Sequence, residues 1–330
     1  MTSAIGPKRT YQVAPHMSAF GGKADMAPVG QNVRRNSDLR IAFMFAETIK
    51  LIVEFTLIIS VSQTRNAILI ICGALLASAG LIDTPANAQK RLEAQYRITM
   101  TGVPVGKIIW QVEFANNLYT MSASGGANGV VSLLINGQGL ITANGKIVDG
   151  HLAPTNFISN IIDDDGKTEL QVSFFDNVAK ELVVRGPKKK PLLTPVNDDD
   201  RRGVTDPLSA MLMSSTAQGA IDSKTCNQTL PIFDGQRRYN LLLTYKRMDR
   251  VKIYQSYSGP ALVCSVTLQP IGGYRVGSMI VKYVAHRRDI ELWFAPIAGM
   301  SIVAPVQLSV PTLIGTMNIQ AERFEASGSR

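Results

Sequence analysis

The stretch Arg91–Ala115, RLEAQYRITMTGVPVGKIIWQVEFA, decides how the rest of the chain is read. Leu92, Ala94, Tyr96, Ile98 and Met100 share one side of an extended chain, with Glu93, Gln95 and Arg97 on the other. In the second run Ile108, Trp110, Val112 and Phe114 fall on one side again. Strict alternation is the mark of a half-buried strand, because successive side chains point to opposite faces of a sheet. The Gly and Pro punctuation of TGVPVG between the runs fits a hairpin connection.

The same alternation recurs in both directions from this hairpin. Strands are expected at Leu118–Ser124, Val131–Ala143, Lys146–Leu152, Asn156–Ile162, Glu169–Phe175 and Glu181–Arg185. Asn144-Gly145 and Asp165-Gly166 are expected to be hairpin turns, whose central residues need positive φ. A second series covers Arg238–Tyr245, Arg250–Tyr254, Ala261–Gln269, Met279–His286, Ile290–Phe294, Ile302–Leu308 and Leu313–Phe324. Residues 186–219 separate the two β halves. GPKKKPLLTPVNDDDRRG (Gly186–Gly203) is expected to be an exposed loop, and TDPLSAMLMSSTAQG (Thr205–Gly219) a short helix. There Asp206 is the N-cap, Pro207 takes the first helical position, and Leu208, Met211 and Leu212 form an apolar stripe against a sheet.

About fourteen strands with one helix predict an all-β, mainly antiparallel fold, strongly curled or partly closed into a barrel-like sheet that hides its edges. The strands are too short or too often charged for an outer-membrane barrel.

Ahead of this domain lies RNAILIICGALLASAGLIDTPANAQ (Arg65–Gln89). A basic start, an apolar core and the small-x-small triplet Ala86-Asn87-Ala88 make a hydrophobic signal helix over residues 61–88, with cleavage between Ala88 and Gln89. Asp83 cuts the apolar run short of the ~20 residues that a membrane span needs. Only an uncleaved signal segment would therefore tie the chain to a membrane. Residues 1–60 are read as a disordered or wrongly assigned N-terminal extension, with translation starting near Val61. Residues 89–330 are the exported β domain, and the periplasm is the expected location.

Of three cysteines, Cys72 lies in the signal core and leaves with it. Cys226 and Cys264 remain as a matched pair in an oxidising compartment and are expected to be bridged. The exported part carries 26 basic against 20 acidic residues. That moderate excess suits anionic envelope surfaces better than nucleic acid.

No catalytic set stands out. His151 and His286 have no nucleophile motif beside them, and the aspartate runs at 163–165 and 198–200 lie on loops. GGANG (Gly125–Gly129) opens no helix and is not a phosphate cradle. No metal ligand set and no cofactor motif is found, because the cysteine and histidine spacings match no zinc pattern. The expected role is non-enzymatic: binding a lipid or other apolar ligand or an envelope protein partner, or a structural part. The alternative is a periplasmic hydrolase of envelope glycan or peptide, with His151 or His286 meeting an Asp and a Ser in one cleft.

YRITMTGVPVGKIIWQVEF, GHLAPTNF and TDPLSAML together resemble an exported proteobacterial family, domain of unknown function 3108. Its marks correspond here to Tyr96, Gly102 with Gly106, Leu152 with Pro154, and Asp206 to Ser209. CNQTLPIFDGQRRYNL (Cys226–Leu241) and YSGPALVC (Tyr257–Cys264) look like the alphaproteobacterial branch, where a cysteine pair occupies these places. The resemblance covers nearly all of residues 92–325 and implies an exported, β-rich protein with no catalytic set to carry over.

Overall fold

The computed structural model describes residues 90–127, 137–163, 166–186, 193–215 and 221–328. The expected signal segment, the Ala88-Gln89 junction, the extension 1–60, the lysine run at 188–190 and Gly219 lie outside the described residues.

Alternation produces the strands. The first hairpin pairs β1 (Lys90–Met100) with β2 (Val103–Ala115), and the expected apolar face is buried on both strands. The meander continues through β3 (Leu118–Ala127), β4 (Gly137–Val148), β5 (His151–Asp163), β6 (Gly166–Phe175) and β7 (Val178–Arg185). A second meander follows a crossing segment and a two-residue strand β8 (Met213–Ser214). It comprises β9 (Gln228–Phe233), β10 (Arg238–Ile253), β11 (Tyr257–Gly272), β12 (Ile290–Pro296), β13 (Ile302–Thr312) and β14 (Gly315–Gly328). Among the described residues one α-helix, α1 (Met279–His286), is found, and it joins β11 to β12.

Every neighbouring pair is antiparallel, and β14 returns to lie beside β1, so the two meanders form one sheet ordered from β7 through β1 and β14 to β9. Its two ends are linked through the crossing segment. Val204 donates its amide to the Asn177 carbonyl at the start of β7 (2.9 Å), and Thr205 pairs in parallel with Ile232 of β9. The sheet is therefore a nearly closed barrel, sealed at this level by a few residues that bond to both edges.

The tight turns show why the meander is regular. Thr101-Gly102, Asn116-Asn117, Asp149-Gly150 and Asp176-Asn177 all have positive φ at both positions. That geometry matches the strand twist, and Gly, Asn and Asp tolerate it best.

Four expectations need correction. Asn144-Gly145 is not a turn: β4 runs through it, pairing with Asn156 and Pro154 so that Thr155 of β5 is the bulged residue, and the chain reverses at Asp149-Gly150. Gly145 is there because a Cβ would collide with the Ala153 carbonyl and the Tyr119 ring. Arg238–Tyr245 and Arg250–Tyr254 are not two strands; β10 spans both, with a bulge between Tyr245 and Arg247. Over 205–215, the described part of the helix expected at 205–219, the chain makes a single 3-10 turn, Ser209–Met211. Sheet pairing of Thr205 with β9 and of Met213–Ser214 with β13 pins both ends, leaving room for only one turn. The true helix is α1, where β-branched residues suggested a strand. Ser278 caps it by accepting the Val281 amide (3.4 Å), and Ile280 and Val284, four apart, share its buried side.

Cys226 and Cys264 are disulfide-bonded across 38 positions, fastening the 3-10 turn Ser223–Cys226 to β11. Closing a loop of this length stabilises a fold by ~4 kcal/mol in the chain-entropy account.

Candidate functional site

The inward faces of the two meanders do not fill the interior. They leave a cavity of about 220 Å³. One wall is Tyr96, Ile108, Trp110 and Ala123 of β1–β3; the opposite wall is Tyr239, Leu241, Val266, Leu268, Ile290 and Leu292 of β10–β12. Pro305, Leu308, Val310 and Ile319 of β13 and β14 join the two walls. Small residues make the space: Trp110 is flanked across the sheet by Ala94 and Ala123. Val284 of α1 adds to the lining, which is why the helix lies there.

The crossing segment contributes Pro207, Leu208 and Met211. Asp206 holds this turn in shape, its Oδ1 accepting the amides of Leu208 (2.9 Å) and Ser209 (3.0 Å). Tyr119 of β3 shares a buried hydrogen bond with the Ser209 hydroxyl (2.8 Å), so the turn is fixed to the first meander. Asp206 is fully buried, its Oδ2 has no hydrogen-bond partner, and burial pushes its carboxyl up to about 6.

The remaining polar lining is sparse. Asp234 and Arg237 approach to 3.7 Å in the β9–β10 turn, where Asp234 also accepts the amides of Gln236 and Arg237. Burial pushes the Asp234 carboxyl up to about 6, while those amide bonds pull it down. The Tyr96 hydroxyl donates to the Pro305 carbonyl (2.7 Å), and burial raises the pKa of Tyr96, Tyr239 and Tyr274. Gln307 lines the wall from β13. Trp110 is 4% exposed and its Nε1 has no partner. A buried donor left unpaired costs about 1–3 kcal/mol.

The candidate histidines lie elsewhere. His151 is exposed at the start of β5, with Nδ1 3.5 Å from the Ser214 hydroxyl, which itself donates to the Gly150 carbonyl. His286 bonds through Nδ1 to the Lys282 carbonyl (2.6 Å) in the last turn of α1. Neither lines the cavity. Among the described residues, no group of three or more His, Cys, Asp or Glu could hold a metal ion. Pro207 meets the cavity directly, and Asp206 supports it from behind. Sequence reasoning missed Trp110 as a polar group, along with Asp234, Arg237 and Gln307. The available signal was a charged Asp-Gly turn, FDGQRR, between two apolar strands.

A nearly closed antiparallel meander around an apolar cavity defines a β-barrel-like protein. The chain belongs to the family described as "Protein of unknown function (DUF3108)", whose model matches residues 95–322. Among solved structures it is similar to the β-barrel-like protein of domain of unknown function DUF1849 from Brucella abortus. The two are 9% identical over 73% of this chain and 98% of that chain, with a TM-score of 0.41. No curated protein matches the chain.

Proposed function

We propose that this is an exported protein of the periplasm that holds a lipid or acyl chain inside its sheet and carries out no chemistry on it. The observation that supports this reading is the apolar cavity of about 220 Å³. It exceeds the ~150 Å³ at which an engineered apolar cavity already stays dry and takes up benzene. It falls below the ~300 Å³ at which pockets for drug-sized ligands begin, which favours one slender chain over a bulky ligand. Export is supported by the signal pattern at Arg65–Gln89 and by the Cys226–Cys264 disulfide, since such bonds persist in oxidising compartments.

Native mass spectrometry of protein purified from the periplasm tests both parts. A mature N-terminus at Gln89 and a co-purifying lipid mass are expected. Protein that carries no ligand and takes up no apolar dye would refute the binding role. Intact, reduced chain confined to the cytosol would refute the location.

A further inference from the structure

The end of the sheet that carries α1 exposes a combination of side chains that the opposite end lacks. Three segments meet there. The Thr101 amide donates to the Thr316 carbonyl (2.8 Å), joining the β1–β2 turn to the β13–β14 turn. The Tyr283 hydroxyl donates to the Thr312 carbonyl (3.3 Å), joining that second turn to α1. Each segment presents large apolar side chains to solvent. Val103 is 57% exposed, Leu313 40%, and Val276 and Met279, at the approach to α1, 52% and 75%. Single exposed apolar residues are ordinary, but a group of them rimmed by polar ones marks an interaction surface.

The rim here is basic. Arg275, Lys282 and Arg288 are all exposed, and none of them is ion-paired among the described residues. The one acidic residue between 275 and 289, Asp289, is already held by Arg287. The acidic run Asp198–Asp200 sits against β10, where Arg238 donates to the Asp200 carbonyl (2.9 Å), with Asp198 and Asp199 facing Arg201 and Arg202. At the opposite end Leu118, Val148 and Phe175 are exposed too, but on turns that carry Asp149 and Asp176. On its inner side α1 places Val284 in the cavity wall, so a surface that meets Met279 stands beside the ligand space.

We propose that this end docks on a bilayer that contains anionic lipid. Val103, Val276, Met279 and Leu313 enter the interface, while Arg275, Lys282 and Arg288 meet lipid phosphates. Apolar tips beside basic side chains match a surface with acyl chains just beneath its phosphate layer. The contact needs no signal segment. It rests on the periplasmic location proposed above, and it sets the cavity next to the membrane that supplies an acyl chain.

Vesicle sedimentation with protein purified from the periplasm tests this, using phosphatidylcholine alone and phosphatidylcholine with roughly a third phosphatidylglycerol. Binding is expected only to the anionic vesicles and is expected to be lost in about 0.5 M salt. Each basic residue near such a surface contributes about fivefold, so Arg275→Gln/Lys282→Gln should weaken binding by about 10- to 25-fold. Lys146→Gln/Lys180→Gln removes the same charge elsewhere and should change it less than about threefold. Orientation has its own readout. In Met279→Trp the new indole should be quenched by lipids brominated on the acyl chain, whereas in Leu118→Trp it should not; Trp110 and Trp293 are buried and serve as the common background. Equal binding to both vesicles, equal losses in the two charge variants, or equal quenching at 279 and 118 would each overturn the docking face. So would capture of an acidic protein by a surface that ignores vesicles. Protein that carries a lipid mass yet binds no vesicle would lose the docking face and keep the cavity role, while vesicle binding by protein with no ligand would do the reverse.

Discussion

The two meanders use their faces differently. In β2 burial alternates, with Ile108, Trp110, Val112 and Phe114 inside and Lys107, Ile109 and Glu113 outside. In β11 the run Ala261–Cys264 is buried on both faces, and so are Leu292–Ala295 of β12 and Ile302–Ala304 of β13. Side chains of neighbouring strands make the difference, since α1 and the disulfide-linked turn Ser223–Cys226 lie on the inner side, where Val284 lines the cavity and Cys264 shares a face with Val266 and Leu268. On its outer side Val263 is paired with both Arg247 and Trp293, and the Arg247 guanidinium over the Trp293 ring shields it from water. A strand whose neighbours shield one side need no longer be polar there, so alternation fades where cover is added.

Four measurements would break or sharpen this contrast. The largest effect is expected from the disulfide, which lies only in the second meander. The double variant Cys226→Ser/Cys264→Ala should lose about 2–4 kcal/mol in urea unfolding. Amide exchange of β10 and β11 should then rise toward that of β2 and β3; unchanged exchange would mean that the turn adds no local stability.

Next is Asp206, which ties the crossing turn to the first meander. Its folded carboxyl holds a proton more tightly than the usual 3.8, being raised to about 6, so the folded state binds more protons across that window. Stability from this group is full below about pH 4 and falls as pH rises through about 6, by roughly 3 kcal/mol at most. Asp206→Asn keeps the acceptor for Leu208 and Ser209 and should flatten this part of the pH profile. An identical profile in the variant would place the titration elsewhere; Asp234, shifted in the same direction, keeps its own share in either protein.

A third test compares outer faces directly. Val263→Thr puts a hydroxyl where nothing is exposed and should cost about 1–3 kcal/mol. Ile109→Thr, on the open outer face of β2 at 36% exposure, should stay within about 0.5 kcal/mol. Equal costs would remove the distinction between the meanders. The smallest effect belongs to Arg247→Met. It removes the pair with Glu291 (2.9 Å) and the cover on Trp293, but Lys246 still reaches Glu291, so a loss below about 1 kcal/mol is expected in the same unfolding assay.

Legibility in the sequence followed the same contrast. The β1–β2 hairpin could be read residue by residue because one face is wet and one is dry. Met279–His286 misled because Ile280, Val281 and Val284 favour strands locally. Its helical form depends on burying Ile280 and Val284 together, which only the assembled sheet makes worthwhile. Thr205–Gly219 misled in the opposite way: good capping residues are present, but strand pairing at Thr205 and Met213 takes precedence over a helix. At the site, the apolar wall residues were visible as strand faces. The gap between them was not, since it depends on which small residues face Trp110 from neighbouring strands.

Sequence alone determined the all-β class, the antiparallel meander and the apolar inner face, because alternation and turn chemistry act over a few residues. Tertiary structure decided the return of β14 to β1, the linkage through Val204 and Thr205, the place of the helix and the cavity with its unpaired indole. Those features arise between residues far apart in sequence, such as Tyr119 with Ser209, 90 positions apart, and Tyr96 with Pro305, 209 apart, whose contacts no local pattern encodes.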